Sequence, residues 1–111
     1  MSARGAAVAL AGAWIAASAI AFAQPAGKPY ASGDAAAGRA LVDKDCNACH
    51  ASRFDGDATR IYTRPDRRVN TPSQLAAQIT FCSTQLSLSY FPDDEANVAA
   101  YLDREFYRFH P

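Results

Sequence analysis

The chain has 111 residues, half of them apolar, and its 11 basic and 11 acidic residues balance to no net charge. That length leaves room for one small domain and excludes a second. The even charge balance gives no basic surface for nucleic acid or for an anionic membrane.

Arg4 precedes an Ala-rich, uncharged run from Gly5 to Ala23 that closes on Ala21-Phe22-Ala23, just before Gln24. A positive start, an apolar middle and a small-residue cleavage site are the parts of a secretory signal peptide over residues 1–23, which predicts export to the periplasm. The run approaches the roughly 20 apolar residues needed to cross a bilayer. An uncleaved membrane anchor is therefore the alternative, but a helix made mostly of alanine gains little from lipid. The domain of about 88 residues left after cleavage has limited room for a hydrophobic core, so a disulfide, metal or cofactor is expected to supplement it.

Residues 24–32 carry Pro25, Gly27 and Pro29 and read as a short leader ahead of a domain over residues 33–111. Gly33-Asp34 then offers a helix cap, and Ala35 to Asp45 reads as a helix with Ala37, Gly38, Leu41 and Val42 on one face. Gly38 costs about 1 kcal/mol against alanine inside a helix, so its place there suggests the close approach of another backbone or an aromatic ring, with a merely tolerated glycine near the helix start as the equal alternative.

That helix delivers Cys46-Asn47-Ala48-Cys49-His50, a C-x-x-C pair followed at once by histidine. The pattern reads as a c-type haem attachment site. Two thiols one helical turn apart can add to the two vinyl groups along one side of a porphyrin, and the next residue then falls under the iron, where an imidazole nitrogen coordinates it. The competing readings are a C-x-x-C disulfide and half of a zinc site. Zinc would want a second ligand pair, and only Cys82 and His110 remain, far apart in sequence. A thioredoxin-like redox pair would follow a strand, whereas a helical pattern precedes Cys46.

From Ala51 to Asn70 the chain is polar, holds Gly56 and Pro65, and shows no clean period; it reads as a long loop packed on a bound macrocycle. Arg60, Arg64, Arg67 and Arg68 lie in it, and guanidinium groups suit haem propionates, with Arg64 the candidate contact and most of the others solvated. Thr71-Pro72-Ser73-Gln74 forms a helix start with Thr71 as cap and Gln74 as its capping-box partner. Leu75, Ile79, Cys82 and Leu86 then recur at helical spacing, which puts Cys82 on the core-facing stripe. After a break at Ser87 to Phe91, Pro92-Asp93-Asp94-Glu95 opens a last helix with its acids at the favourable end of the helix dipole and with Val98, Tyr101, Leu102 and Phe106 as its buried face.

With the motif flanked in this way, the chain resembles the class I c-type cytochromes from Gly33 to about Phe106. The resemblance rests on the Gly-Asp-Ala-Ala-Ala-Gly-Arg-Ala-Leu opening, Cys-Asn-Ala-Cys-His, and the closing Asp-Glu-Ala-Asn-Val-Ala-Ala-Tyr-Leu. It implies an all-α, cytochrome c-like fold of about three to four helices around one covalently bound haem c. It further implies a right-angle crossing of the first and last helices, with Gly38 against Tyr101. A proline carbonyl, best matched by Pro65, would accept the N–H of the axial His50.

One departure stands out: the family's usual second ligand is a methionine, and the only methionine here is Met1. Cys82 lies near the corresponding place and is the leading second iron ligand, with a buried structural thiol or a cysteine paired between chains as its alternatives. His110 is the other candidate, at the chain's end, and an open or water-filled position is the third.

The function implied is a periplasmic electron carrier with an unidentified redox partner protein, and with a lower potential than a His/Met cytochrome. The alternatives are a haem protein that binds a small gas or sulfur compound, and the haem subunit of a larger oxidoreductase. Contact with a membrane is expected only if the N-terminal segment stays attached.

Overall fold

In the computed structural model the described residues are 27–111, together with residues 5, 7, 9 and 11–13, so the expected signal peptide falls outside the described residues apart from those scattered positions. The described chain is all-α. It runs through α1 (Ala35–Asp45), α2 (Asn47–Arg53), α3 (Arg60–Thr63), α4 (Pro72–Gln85) and α5 (Pro92–Leu102), and ends in a single π-helical turn over Asp103–Tyr107. Five helices replace the expected three to four, because the stretch read as one long loop contains α3 and because the Cys46–His50 motif opens a helix of its own. No helix among the described residues is long and apolar enough to cross a membrane.

The expected caps are present. Asp34 accepts hydrogen bonds from the backbone N–H groups of Ala36 and Ala37 at 2.9 and 3.1 Å, which satisfies two of the orphan donors at the start of α1. The Thr71 hydroxyl accepts from Gln74 N at 3.1 Å, and the Gln74 side chain reaches back to accept from Asn70 N at 2.8 Å, one residue before the cap. At α5 the Asp94 carboxylate accepts from Phe91 N at 2.9 Å, and Pro92 fills the first turn, where an N–H would have had no partner.

Helices α1 and α5 meet backbone to backbone. A Cβ at Gly38 would overlap the Asn97 carbonyl and lie 2.9 Å from Val98 N; one at Gly33 would collide with the Ala96 carbonyl and sit 2.9 Å from Ala100 Cβ. The partner of Gly38 is thus the α5 backbone rather than the Tyr101 ring. Asn97 fastens the crossing by accepting from Asp34 N at 2.7 Å. Around this contact the core collects Val42, Leu75, Ile79, Val98, Ala99 and Leu102. Helix α4 is tied to α5 by Glu95, whose two carboxylate oxygens accept from Thr80 Oγ1 at 2.6 Å and from the buried Ser83 Oγ at 2.8 Å.

The residues ahead of α1 belong to this packed unit. Tyr30 is buried, and its hydroxyl donates to Asp103 at 2.8 Å; Lys28 Nζ donates to the same carboxylate oxygen at 2.6 Å and to the Phe109 carbonyl at 2.7 Å. Phe109 N completes the cluster by donating to the other Asp103 oxygen at 2.8 Å. Lys28 and Tyr30, which lie in the stretch expected to be a leader, thus pack against the C-terminal end of the chain. Burial alone would raise the Asp103 carboxyl, but the bonds from Lys28, Phe109 and Tyr30 outweigh it and hold the group below its ordinary value.

Two stability measurements check this arrangement. Gly38→Ala should cost about 3 kcal/mol in denaturant unfolding, since neither backbone can retreat without opening the crossing; an unchanged midpoint would contradict the close approach. Asp103→Asn should cost about 2 kcal/mol at neutral pH, the loss of charged hydrogen bonds. Because the folded carboxyl sits below the unfolded value of roughly 3.9, its contribution is full above that pH and disappears as pH falls through the folded value. The difference between wild type and Asp103→Asn should accordingly shrink in acid.

Candidate functional site

Cys46 sits at the joint between α1 and α2, with its N–H bonded to the Val42 carbonyl at 3.0 Å, the last bond of α1. One turn later His50 N bonds to the Cys46 carbonyl at 3.2 Å, so the first thiol and the imidazole stand on successive turns. Both line one cavity of about 360 Å³. Its walls are mostly apolar: Ile61 and Tyr62 from α3, Leu75 and Ile79 from α4, Val98 and Leu102 from α5. Cys49 is exposed and does not line it.

Helix α4 turns Cys82 toward the same cavity, where Gln78 Nε2 donates to its Sγ at 3.2 Å. Leu86, at the end of the same stripe, is half exposed yet also lines the cavity and marks its mouth. Cys82 is partly buried, and all three cysteines are free thiols. His110 is exposed and stands apart from the cavity.

The arginines divide. Arg64 and Arg68 line the cavity, joined by Arg53 from α2, which the loop-centred reading of the sequence overlooked. Arg67 is engaged elsewhere: its Nη1 donates to the Tyr62 carbonyl at 3.0 Å, and its guanidinium lies 4.9 Å from the centre of the Tyr107 ring. Arg60 is exposed and outside the lining.

Arg64 lies over the Phe54 ring at 5.4 Å, and its nearest acid, Asp66, is 3.8 Å from Nε, too far for a hydrogen bond. Its Nε is buried with no hydrogen-bond partner among the described residues. A buried donor left unpaired costs about 1–3 kcal/mol, so a group that accepted from this nitrogen would relieve that cost.

Pro65, expected to hold the imidazole, is exposed and outside the lining. The partner of His50 Nδ1 is instead the hydroxyl of Tyr62, at 2.9 Å, with the two rings edge to face at 5.5 Å. Helix α3 puts Tyr62 there, and α3 was invisible to the periodicity of this polar stretch. The signal that could have found it is a large aromatic isolated among arginines and threonines.

Burial, with a smaller contribution from Arg53, lowers the His50 imidazole and keeps it neutral. Burial first, then Asp45 and the thiols of Cys82 and Cys49, push the Cys46 thiol up to about 11. The site therefore presents a neutral imidazole and a protonated thiol to an apolar cavity rimmed by guanidinium groups. No cluster of three or more His, Cys, Asp or Glu side chains able to cage a metal ion occurs among the described residues. One or two axial protein ligands suffice for an iron already held in a macrocycle. The cavity wall thus carries two thiols, Cys46 and Cys82, the His50 imidazole and guanidinium groups, a donor set that could hold a haem, with Cys49 outside the lining.

Comparison with known protein families, with curated proteins and with solved structures finds no match for the chain.

The difference between the two thiols is measurable in protein without a covalently attached group. At pH 8 about one Cys46 in a thousand would be thiolate, the reactive form. The exposed Cys49 should therefore alkylate at least tenfold faster, with Cys46 catching up as pH rises toward 11. Equal rates at pH 8 would contradict the burial of Cys46.

Proposed function

We propose that the chain is an exported monohaem c-type cytochrome that carries electrons. Haem c would be held by thioether bonds from Cys46 and Cys49, with His50 as one axial ligand and Cys82 as the other. The observation that carries the reading is the placement of Cys46, His50 and Cys82 around one apolar cavity, with the unpaired Arg64 Nε buried beside it. Bound there, the haem supplies a one-electron couple between ferric and ferrous iron.

The chain's own residues do the rest. The joint between α1 and α2 fixes the first thiol and the imidazole at helical spacing, and burial keeps the imidazole neutral and able to coordinate. Apolar side chains from α3, α4 and α5 would exclude water from around a bound haem, and Arg64 with Arg68 would offer charge to its propionates. Cys82 on α4 would take the place left by the missing methionine, and the Gln78 amide donates to its sulfur. A thiolate stabilises ferric iron, so the potential should lie below that of a His/Met cytochrome. A carrier of this kind needs no substrate pocket beyond the cofactor's own, which suits a domain this small. Export follows from the signal-peptide pattern of residues 1–23.

Absorption spectra test this reading in protein made by a cell that attaches haem. The wild type should give a sharp low-spin spectrum that carbon monoxide does not alter. His50→Ala should lose it, and a low-spin spectrum that persisted unchanged would sink the assignment. Cys82→Ala should become high-spin and carbon monoxide-binding. A wild type that already binds carbon monoxide would instead favour an open site and a ligand-binding role.

A further inference from the structure

We propose that Tyr62 is the positioning residue of the axial histidine, its phenol oxygen accepting the His50 Nδ1–H and thereby fixing the imidazole plane and raising its basicity; this rests on the haem reading above. A neutral imidazole that coordinates through Nε2 carries its proton on Nδ1. That proton needs an acceptor, and buried metal-binding histidines find one in a carboxylate, a backbone carbonyl or water. Here the atom within reach is Tyr62 Oη, at 2.9 Å.

The phenol is held in place from several sides. Tyr62 is only 4 % exposed. Its ring stacks on Phe106 at 5.2 Å with an interplanar angle of 26°, and meets Tyr107 edge-on at 6.1 Å. Its carbonyl accepts from Arg67 Nη1 at 3.0 Å, while the same guanidinium covers the Tyr107 ring at 4.9 Å. Tyr107 in turn stacks on Phe109 at 5.2 Å, and Phe109 is anchored through its N–H to Asp103 at 2.8 Å. The acceptor for His50 is thus built into the π-helical turn and the chain's C-terminal end. A loop carbonyl at Pro65 would have had no such backing.

The direction of the effect follows from ligand basicity. An acceptor on Nδ1–H makes the imidazole a better donor to iron, which favours the ferric state and lowers the potential. Removing the phenol oxygen while keeping the ring should therefore raise the potential.

The experiment compares wild-type, Tyr62→Phe and Tyr62→Leu holoproteins, each with covalently attached haem. Tyr62→Phe should keep the haem and nearly the same thermal midpoint, shift its reduction potential upward, and change the ferric electron-spin-resonance g-values that report the imidazole plane. Tyr62→Leu should add a loss of stability, because the aromatic stack goes too. Tyr62→Phe with the wild-type potential and g-values would overturn the proposal and leave Tyr62 a packing residue. Should Tyr62→Phe fail to mature, the wild type decides by proton resonance: a slowly exchanging His50 Nδ1–H supports the bond, and one exchanging within the dead time overturns it. Absence of covalent haem from the unmodified chain would overturn both this proposal and the reading beneath it.

Discussion

The backbone contact between α1 and α5 is the constraint on which the rest of the molecule depends. Gly33 and Gly38 let the two helices approach until their main chains touch, and no side chain can be interposed. That contact fixes where α1 ends, and so where Cys46 and then His50 emerge. It also fixes α5, which carries α4 with it through the two hydrogen bonds to Glu95, and α4 carries Cys82. The cavity lies between the Cys46–His50 segment that follows α1 and helices α4 and α5, closed on one side by α3 and by Tyr107 of the π-helical turn.

A polar cluster outside the cavity is linked to it through aromatic rings. The Lys28–Tyr30–Asp103–Phe109 cluster joins the start of the described chain to its end, and the aromatic series Phe109, Tyr107 and Tyr62 runs from that cluster to the imidazole. Arg67 serves this series by covering Tyr107 and bonding to the Tyr62 carbonyl, which removes it from the cavity rim. Arg64 is left with a buried Nε that has no hydrogen-bond partner among the described residues. Neighbouring arginines of the same stretch thus differ in place, Arg67 covering Tyr107 and Arg64 lying over Phe54 on the cavity wall.

Much of this was legible in the sequence where a local signal governs local structure. The caps at Asp34 and Thr71, the proline at the start of α5 and the stripe through Leu75, Ile79 and Cys82 each depend on a few adjacent residues, and the helices begin where those signals lie. Gly38 announced a close contact through its conformational cost, but not which group would make it; that depends on the crossing with α5, a long-range fact. Helix α3 was missed because four residues in a polar stretch carry no period. With it went Tyr62, so that Pro65 stood in for a partner that only the folded chain reveals. The burial of Tyr30 beneath Asp103 was hidden for the same reason: a leader rich in glycine and proline gives no hint that one of its side chains meets a carboxylate from the far end of the chain.

The most direct test of the central claim is the intact mass, under denaturing conditions, of the chain made in a cell that attaches haem. The account predicts a single species heavier than the processed chain by one haem, the group remaining attached because Cys46 and Cys49 hold it covalently. A chain of unmodified mass, or one lighter by only the two hydrogens of a disulfide, would contradict it.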